Sequence, residues 1–375
     1  MQPWLPFCEG KCSFCYFTVN CEKQNVTPYI SALKKALSFY AKTEYVKSSI
    51  FDELYIGGGS PSVISNEKIE DLLDFCRSNF NFSADHITKF TACTTNLSLK
   101  KINALSSNGV KQLDIGIQTF NDSLRENLMI RDSSREAKKK LQLSKKNGLR
   151  ISIDLLYNLP GQSIDQWVED IKQAIELEVE SVDCYPLDLY PGTPLAKKIS
   201  KGELPPTGNE DVEMKMYLEA YRIFKEYGYK PTCHNRFSIL EEDFKKPSSE
   251  VVGTGAGFFM GHLDRFLYSD IEDLSAYTIS VKNGIFPISR LTSLSVEEEM
   301  RKAMMLIYIR VPLNREWFKK EYGRFPEEVF PEPLENLTNK GLIETINGNI
   351  QITEKGDPWR FNIAWEFFKN KDRLQ

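Results

Sequence analysis

The chain has 375 residues, 41% hydrophobic and 27% charged, an ordinary globular composition that excludes a disordered, collagenous or fibrous polymer. Forty-eight basic residues against 52 acidic ones leave a net charge of −4, which argues against a broad nucleic-acid-binding surface while leaving room for a local basic pocket. No apolar run approaches the roughly 20 residues of a membrane span, and the start Met1-Gln2-Pro3-Trp4 has neither a basic flank nor an apolar segment, so the expectation is a cytoplasmic chain with no membrane and no nucleic-acid partner.

The stretch before Cys8 counts as a first short strand. It runs into a cysteine cluster: Cys8, Cys12, Cys15 and Cys21 fall within the first 21 residues, while Cys76, Cys93, Cys184 and Cys233 are scattered over the rest. In a reducing compartment such a cluster reads as metal ligation rather than a disulfide framework. Three thiolates spaced C-x3-C-x2-C on one loop can bind three irons of a [4Fe–4S] cube and leave the fourth open. Zinc remains an alternative that needs a fourth ligand, Cys21 or a remote residue. Cys21 otherwise reads as a packing or loop residue, and the four remote cysteines as core.

Further along, Val26 to Thr43 carries apolar residues at helical spacing. Asp52 to Ile56 is a strand that ends in Gly57-Gly58-Gly59. Ile64 to Asn79 reads as a helix, Lys89 to Cys93 as a strand, Leu99 to Ser107 as a helix and Gln112 to Ile117 as a strand. Ser133 to Asn147 is a helix closed by Gly148, Arg150 to Tyr157 a strand, Asp165 to Leu177 a helix and Ser181 to Leu189 a strand. Six strand–helix units by residue 190 are the signature of βαβ crossovers in a parallel sheet or barrel. In such folds the loops after the strands converge on one face, which gathers the cysteine loop, Gly57 to Gly59, Thr94 to Asn96, Gln118 and Asp154 at one mouth. Beyond lie a long helix over Glu210 to Tyr227 and a glycine-rich loop at Gly253 to Gly257. A helix end followed by an Asn347-Gly348 hairpin suggests a winged-helix-like module. The segments divide as 1–200, a barrel core; 201–290, a covering extension; and 291–375, the C-terminal module.

The cysteine loop, with Phe14 before its last cysteine, resembles that of radical S-adenosylmethionine (radical SAM) enzymes. The motifs Gly57-Gly58-Gly59-Ser60-Pro61, Asp114-Ile115-Gly116-Ile117-Gln118, Asp154 to Gln162, Tyr190 to Pro194 and Gly253 to Gly257 recur in that order in the branch typified by oxygen-independent coproporphyrinogen III oxidase. That branch also holds a heme chaperone, anaerobic heme-degrading enzymes and the class C radical SAM methyltransferases. The resemblance implies an α/β fold, a partial (β/α)6 TIM-like barrel with a C-terminal α+β winged-helix-like module. It implies a [4Fe–4S] cluster on Cys8, Cys12 and Cys15, SAM as two molecules, a small-molecule substrate and a flavodoxin- or ferredoxin-type electron donor. Cofactor contacts would come from Phe14, Gly57, Gly58, Gly59, Gln118, Arg131 and Asp154, with Gln118, Arg131 and Asp154 carrying catalytic roles.

Three departures from the family pattern stand out. The tyrosine and histidine that usually precede Pro-Phe-Cys are absent, so the start of the first strand is expected to be absent or atypical. A family glutamate that meets the SAM ribose falls here on Thr91 or its neighbours Ala92, Cys93 and Thr94, none acidic, which passes ribose recognition to Thr91 or Asn96. Coproporphyrinogen oxidases carry a further cysteine where this chain has Phe17, and Cys15-Tyr16-Phe17 looks more like the methyltransferase side of the branch. The leading expectation is therefore a class C-type enzyme that transfers a methyl-derived carbon to an sp² carbon of a small conjugated substrate. The alternatives are tetrapyrrole chemistry, either oxidase-like or heme-degrading, and a non-enzymatic heme chaperone with Cys233 or His234 as axial ligand.

Overall fold

Six parallel strands follow one another in chain order in the computed structural model, which describes residues 1–232, 235–241, 250–258 and 260–368. They are β1 (Gln2–Leu5), β2 (Phe51–Gly58), β3 (Phe82–Ala92), β4 (Gln112–Gln118), β5 (Arg150–Tyr157) and β6 (Ser181–Pro186). Each pairs with its sequence neighbour, and β1 is flanked on its other side by the short strand Gly253–Thr254. This is the expected partial barrel. The chain forms two compact units, Met1–Glu213 with Ser249–Thr292, and Met214–Ser248 with Ser293–Gln375.

The crossover helices are α1 (Val26–Ala41), α3 (Asn66–Asn79), α4 (Leu99–Ser107), α6 (Ser134–Lys146) and α7 (Ile164–Glu176), with the short α2 (Glu44–Ser48) after α1 and α5 (Asp122–Asn127) before α6. Their starts follow from capping chemistry. Ser133 with Glu136, and Ser163 with Gln166, form reciprocal capping boxes that satisfy first-turn N–H groups of α6 and α7. Tyr29, Ile30, Leu33, Ala36, Leu37 and Tyr40 share the buried face of α1.

Despite its missing family residues, β1 is a regular strand. Trp4 pairs with Gly57 and Leu5 with Gly58, while Gln2 and Pro3 pair with Gly253 and Thr254. Beyond that pair, Gly255 lies where a Cβ would come within 2.7 Å of the Tyr29 hydroxyl, which donates to the Trp4 carbonyl at 2.7 Å and accepts from the Ala256 N–H at 2.9 Å. The expected strand over Lys89–Cys93 begins seven residues earlier, at Phe82. A register irregularity between Phe51 and Glu53 lets the polar Asp85-His86 stretch bulge past β2.

The two faces of the strands differ sharply. Leu54, Ile56, Phe90, Leu113, Ile115, Ile153 and Leu155 are almost fully buried, and Leu5, Ile56 and Phe90 line a seam with Ile30, Ile69 and Leu72 of the helices. On the alternate positions stand Glu53, Tyr55, Lys89, Thr91, Asp114, Gly116, Gln118 and Asp154, all half-buried. Polar residues inside parallel strands covered by helices are out of pattern for a sealed core. The barrel interior is polar: Lys89 pairs with Glu53 at 2.8 Å, Tyr55 shares a hydroxyl contact with Thr91 at 2.9 Å, and Gln112 donates to Asp114 at 2.7 Å.

The second unit has its own apolar core, including Met304, Ile307, Leu313, Phe318, Leu337, Ile343 and Ile350. Helices Val296–Tyr308 and Pro331–Asn339 pack with a three-stranded antiparallel sheet built from Leu313–Asn314, Ile343–Ile346 and Asn349–Ile352. The hairpin turns at Asn347 (φ 50°) and Gly348 (φ 74°), two left-handed residues in succession, as the Asn-Gly pair predicts.

Candidate functional site

The cysteine loop leaves β1 and is closed at its base. Phe7 bridges Asn20 in parallel, the Asn20 N–H donates to the Pro6 carbonyl at 2.7 Å, and the Cys8 N–H to the Asn20 carbonyl at 3.1 Å. In the middle of the loop Ser13 is fully buried. Its N–H and hydroxyl take the terminal carbonyls of α5, Leu128 at 3.0 Å and Asn127 at 2.9 Å, and its own carbonyl accepts from Leu195 at 2.9 Å, in the first turn of the helix Pro194–Ser200. One serine thus satisfies orphan groups of two helix ends. Phe14 packs against the apolar cluster of Leu124, Leu128, Leu156, Leu159, Leu187 and Leu195, so its side chain anchors the loop between Cys12 and Cys15.

Cys8, Cys12 and Cys15 are all partly buried free thiols. Burial pushes the Cys8 thiol up to about 11, against a hydrogen bond from Ser60, and the Cys12 thiol up to about 12, against the Arg125 guanidinium; burial raises Cys15 as well. Neighbouring thiols push in the same direction as burial at Cys8 and Cys12. Such a set favours a soft cation that replaces several protons at once. Among the described residues no three His, Cys, Asp or Glu side chains converge on a single ion. Ligands of an iron–sulfur cube bind different irons and stand apart, so three thiols on one pinned loop fit such a cluster with an open iron.

The remaining cysteines sort differently from the expectation. Cys76 and Cys184 are buried and Cys21 is exposed, but Cys93 is half-buried rather than core. It stands one residue beyond β3, its sulfur 3.2 Å from the Thr95 hydroxyl, and its thiol is among the groups that raise Cys8 and Cys12. The end of the strand turns it to the mouth. Cys233 and His234 lie outside the described residues.

Beside the loop runs the end of β2. The Gly59 N–H donates to the Leu5 carbonyl at 2.9 Å and the Ser60 N–H to the Phe7 carbonyl at 2.6 Å. A Cβ on Gly59 would sit 2.7 Å from the Cys8 sulfur and 2.7 Å from the Phe7 carbonyl oxygen, and one on Gly58 (φ 125°) would run into the Leu5 backbone. A Cβ on Gly57 would first meet the Tyr55 ring, at 3.0 Å. Gly58 and Gly59 are therefore needed where β2 meets the cysteine loop. Gly59→Ala is expected to lower the iron taken up on anaerobic reconstitution by at least half. Gly202→Ala, at a positive φ but with open space around it, is expected to cost stability without losing iron.

The exit of β4 is strained. Gln118 has φ 68°, unusual for a residue with a side chain. Two buried groups hold it there. Arg125, 2% exposed, donates through Nη1 to the carbonyls of Ile117 (2.9 Å) and Thr119 (3.0 Å) on either side. Asp170 accepts from the Thr119 hydroxyl and the Phe120 N–H, both at 2.7 Å, and burial raises its carboxyl to about 6. Arg125 in turn pairs with Asp132 at 2.5 Å, whose other oxygen accepts from Thr94 at 2.5 Å. The ends of β3 and β4 are thereby tied to each other and to α5 and α7. A point above Gly116 lies 2.5 Å from the Gln118 amide nitrogen and 4.0 Å from Asp154 Oδ2, so the structure brings these two expected cofactor residues to one spot. In register, Gly116 pairs with Asp154 and Asp154 with Asp183.

Arg131, Asn96 and Glu9 meet across three loops. The Arg131 guanidinium lies over Gly10, where any Cβ would collide with it, and its Nη1 is 3.9 Å from Glu9 Oε1. The Asn96 amide donates to Glu9 Oε2 at 3.4 Å. Thr91 faces the polar interior beside Tyr55. Glu9, Tyr55, Asp114, Asp183 and Arg125 were not singled out as site residues from sequence; the last four carried a signal, as polar side chains on buried strands or a buried short helix.

The site thus offers thiols for a cluster, glycine backbone beside it, and an amide, a carboxylate and a guanidinium at the same strand ends. The Radical SAM superfamily model matches residues 3–174. The chain is 26% identical to the heme chaperone HemW of Bacillus subtilis (strain 168) over 94% of either chain. It is 24% identical to the anaerobilin synthase of Escherichia coli O157:H7 over 96% of this chain and 81% of that protein. Its fold is similar to that of the Escherichia coli coproporphyrinogen III oxidase HemN, described as a radical SAM enzyme, with a TM-score of 0.86, 20% identity, and coverage of 98% of this chain and 89% of the other.

Proposed function

We propose that the chain, whose residues 3–174 match the Radical SAM superfamily model and whose fold is similar to that of coproporphyrinogen III oxidase, is a radical SAM enzyme of that branch, cleaves SAM reductively and directs that chemistry at a tetrapyrrole. The observation that carries this reading is the span of the similarity: a heme chaperone and an anaerobilin synthase each match over at least 94% of the chain. The methyl-transfer reading loses its main support. Its cue was Phe17, and that ring stacks on Tyr16 at 4.4 Å and meets Trp4 edge-on at 6.0 Å, a packing role that says nothing of the substrate. A second SAM molecule is then not required.

When bound, the cluster and SAM supply the electron and the carbon-centred radical chemistry that amino-acid side chains lack. The protein's own groups place them. Cys8, Cys12 and Cys15 would hold three irons. Arg131 would pair with the methionyl carboxylate, a charge-assisted contact. Gln118 and Asp154 would bond ribose or amino groups, with Thr91 and Asn96 as further partners. Arg125 and Asp170 act as positioning residues that hold Gln118 in its left-handed conformation. The electron would come from a flavodoxin- or ferredoxin-type donor.

A heme chaperone is the second reading, favoured by the full-length match to the Bacillus protein. Titration of heme into the anaerobically reconstituted chain, followed by addition of SAM and reductant and separation of the pigments, tests both. Tetrapyrrole turnover supports the proposal, and a saturable Soret shift without turnover supports the chaperone. No heme binding together with S-adenosylhomocysteine formation would return the function to methyl transfer.

A further inference from the structure

We propose that Glu9 is a built-in stand-in for the ligand carboxylate: in the ligand-free chain it occupies the Arg131 guanidinium, and it swings away when SAM binds. The inference rests on the reading of Arg131 as the partner of the methionyl carboxylate, and it deepens that reading by naming what must be displaced.

Three observations converge. Glu9 follows Cys8 directly, so its carboxylate is carried on the loop that would hold the cluster. Both of its oxygens are engaged, Oε1 with Arg131 at 3.9 Å and Oε2 with Asn96 at 3.4 Å, and these partners come from the exits of two other strands. The third is the shape of the loop, since Gly10 leaves room for the guanidinium where any side chain would strike it. The loop is therefore built to seat Arg131 beside its own carboxylate.

The contacts are long, and the side chains of Arg131 and Glu9 are 58% and 42% exposed. An exposed pair of this kind shifts an equilibrium only about 1.4- to fivefold, enough to bias the side chains and too little to block a ligand. A second carboxylate brought to the same guanidinium would face Glu9 as a like charge, which favours its departure. Glu9 has three rotatable side-chain bonds and a solvent-facing side, so it has somewhere to go. As it leaves, the Asn96 amide is released for a ligand hydroxyl. Were Glu9 instead a direct partner of the ribose hydroxyls, its removal would act with the opposite sign.

The test is equilibrium dialysis of the full, anaerobically reconstituted chain with SAM and with decarboxylated SAM, which lacks the group that competes with Glu9. Glu9→Gln is expected to bind SAM about 1.4- to fivefold tighter, the fold-change that an exposed pair converts to, and to bind decarboxylated SAM no better than the wild type. In an Arg131→Gln background the gain should vanish. Glu9→Ala serves as the second variant, with iron content checked in each. Unchanged or weaker SAM binding in both Glu9 variants overturns the proposal, as does equal tightening for the two ligands. A wild-type chain that binds neither ligand removes the SAM reading itself, and the stand-in with it.

Discussion

Cys12→Ala is expected to leave the anaerobically reconstituted chain with almost no cluster iron, while Cys21→Ala and Cys76→Ala are expected to retain it. The reason lies in where the loop puts each thiol. Cys12 precedes the buried Ser13, which is tied by three hydrogen bonds to two helix ends, so no neighbouring residue can slide into its place. With two of three loop ligands a cube loses the site that makes it stable, because metal binding free energy is held jointly by the ligand set. The fold itself should survive. Removing one half-buried sulfur costs on the order of 1 kcal/mol, and a matched urea midpoint in the metal-free variants would separate cluster loss from unfolding. Full iron in Cys12→Ala would point to Cys93, the other thiol at the mouth, as a replacement ligand.

The second large effect falls on Arg125. Arg125→Met should destabilise the chain by roughly 3–5 kcal/mol, the usual cost of leaving one partner of a buried ion pair behind. Asp132 loses its guanidinium, and the Ile117 and Thr119 carbonyls lose theirs. The double variant Arg125→Met with Asp132→Asn should recover part of the loss, since the stranded charge is then gone. Urea unfolding of the two singles and the double measures this. The same substitution removes what holds Gln118 at positive φ, so SAM affinity should fall even in protein that remains folded at low temperature. A loss below about 1 kcal/mol would mean that the network is not the prop described here.

Much of the barrel is legible in the sequence. Apolar runs bounded by glycine or by capping serines mark β2, β4, β5, α6 and α7, and the alternation of strand and helix gives their parallel order. The cysteine loop is also legible, because C-x3-C-x2-C states its chemistry in one local segment. What is not legible is contact between loops. Glu9 meets residues 87 and 122 positions away, and nothing local distinguishes it from a solvated glutamate. Thr94, Arg125 and Asp132 read singly as ordinary polar residues; only the convergence of the strand ends makes them a network. Cys93 was expected in the core because free cysteine usually packs there, yet it stands just past the last β3 residue, where a shift of one position changes which side it faces. Phe17, read as a cue to the methyltransferase side of the branch, packs its ring on the neighbouring aromatics Tyr16 and Trp4. The polar rows of the barrel interior, Tyr55, Asp114 and Asp183 among them, were visible as interruptions of apolar strands, a signal that periodicity alone assigns to no function.

The measurement that tests the account most directly is 5′-deoxyadenosine formed by the anaerobically reconstituted chain with SAM and a low-potential reductant, with and without heme. The account predicts 5′-deoxyadenosine in an amount that rises when heme is present and disappears in Cys12→Ala. A fully iron-loaded protein that forms none under either condition would contradict it.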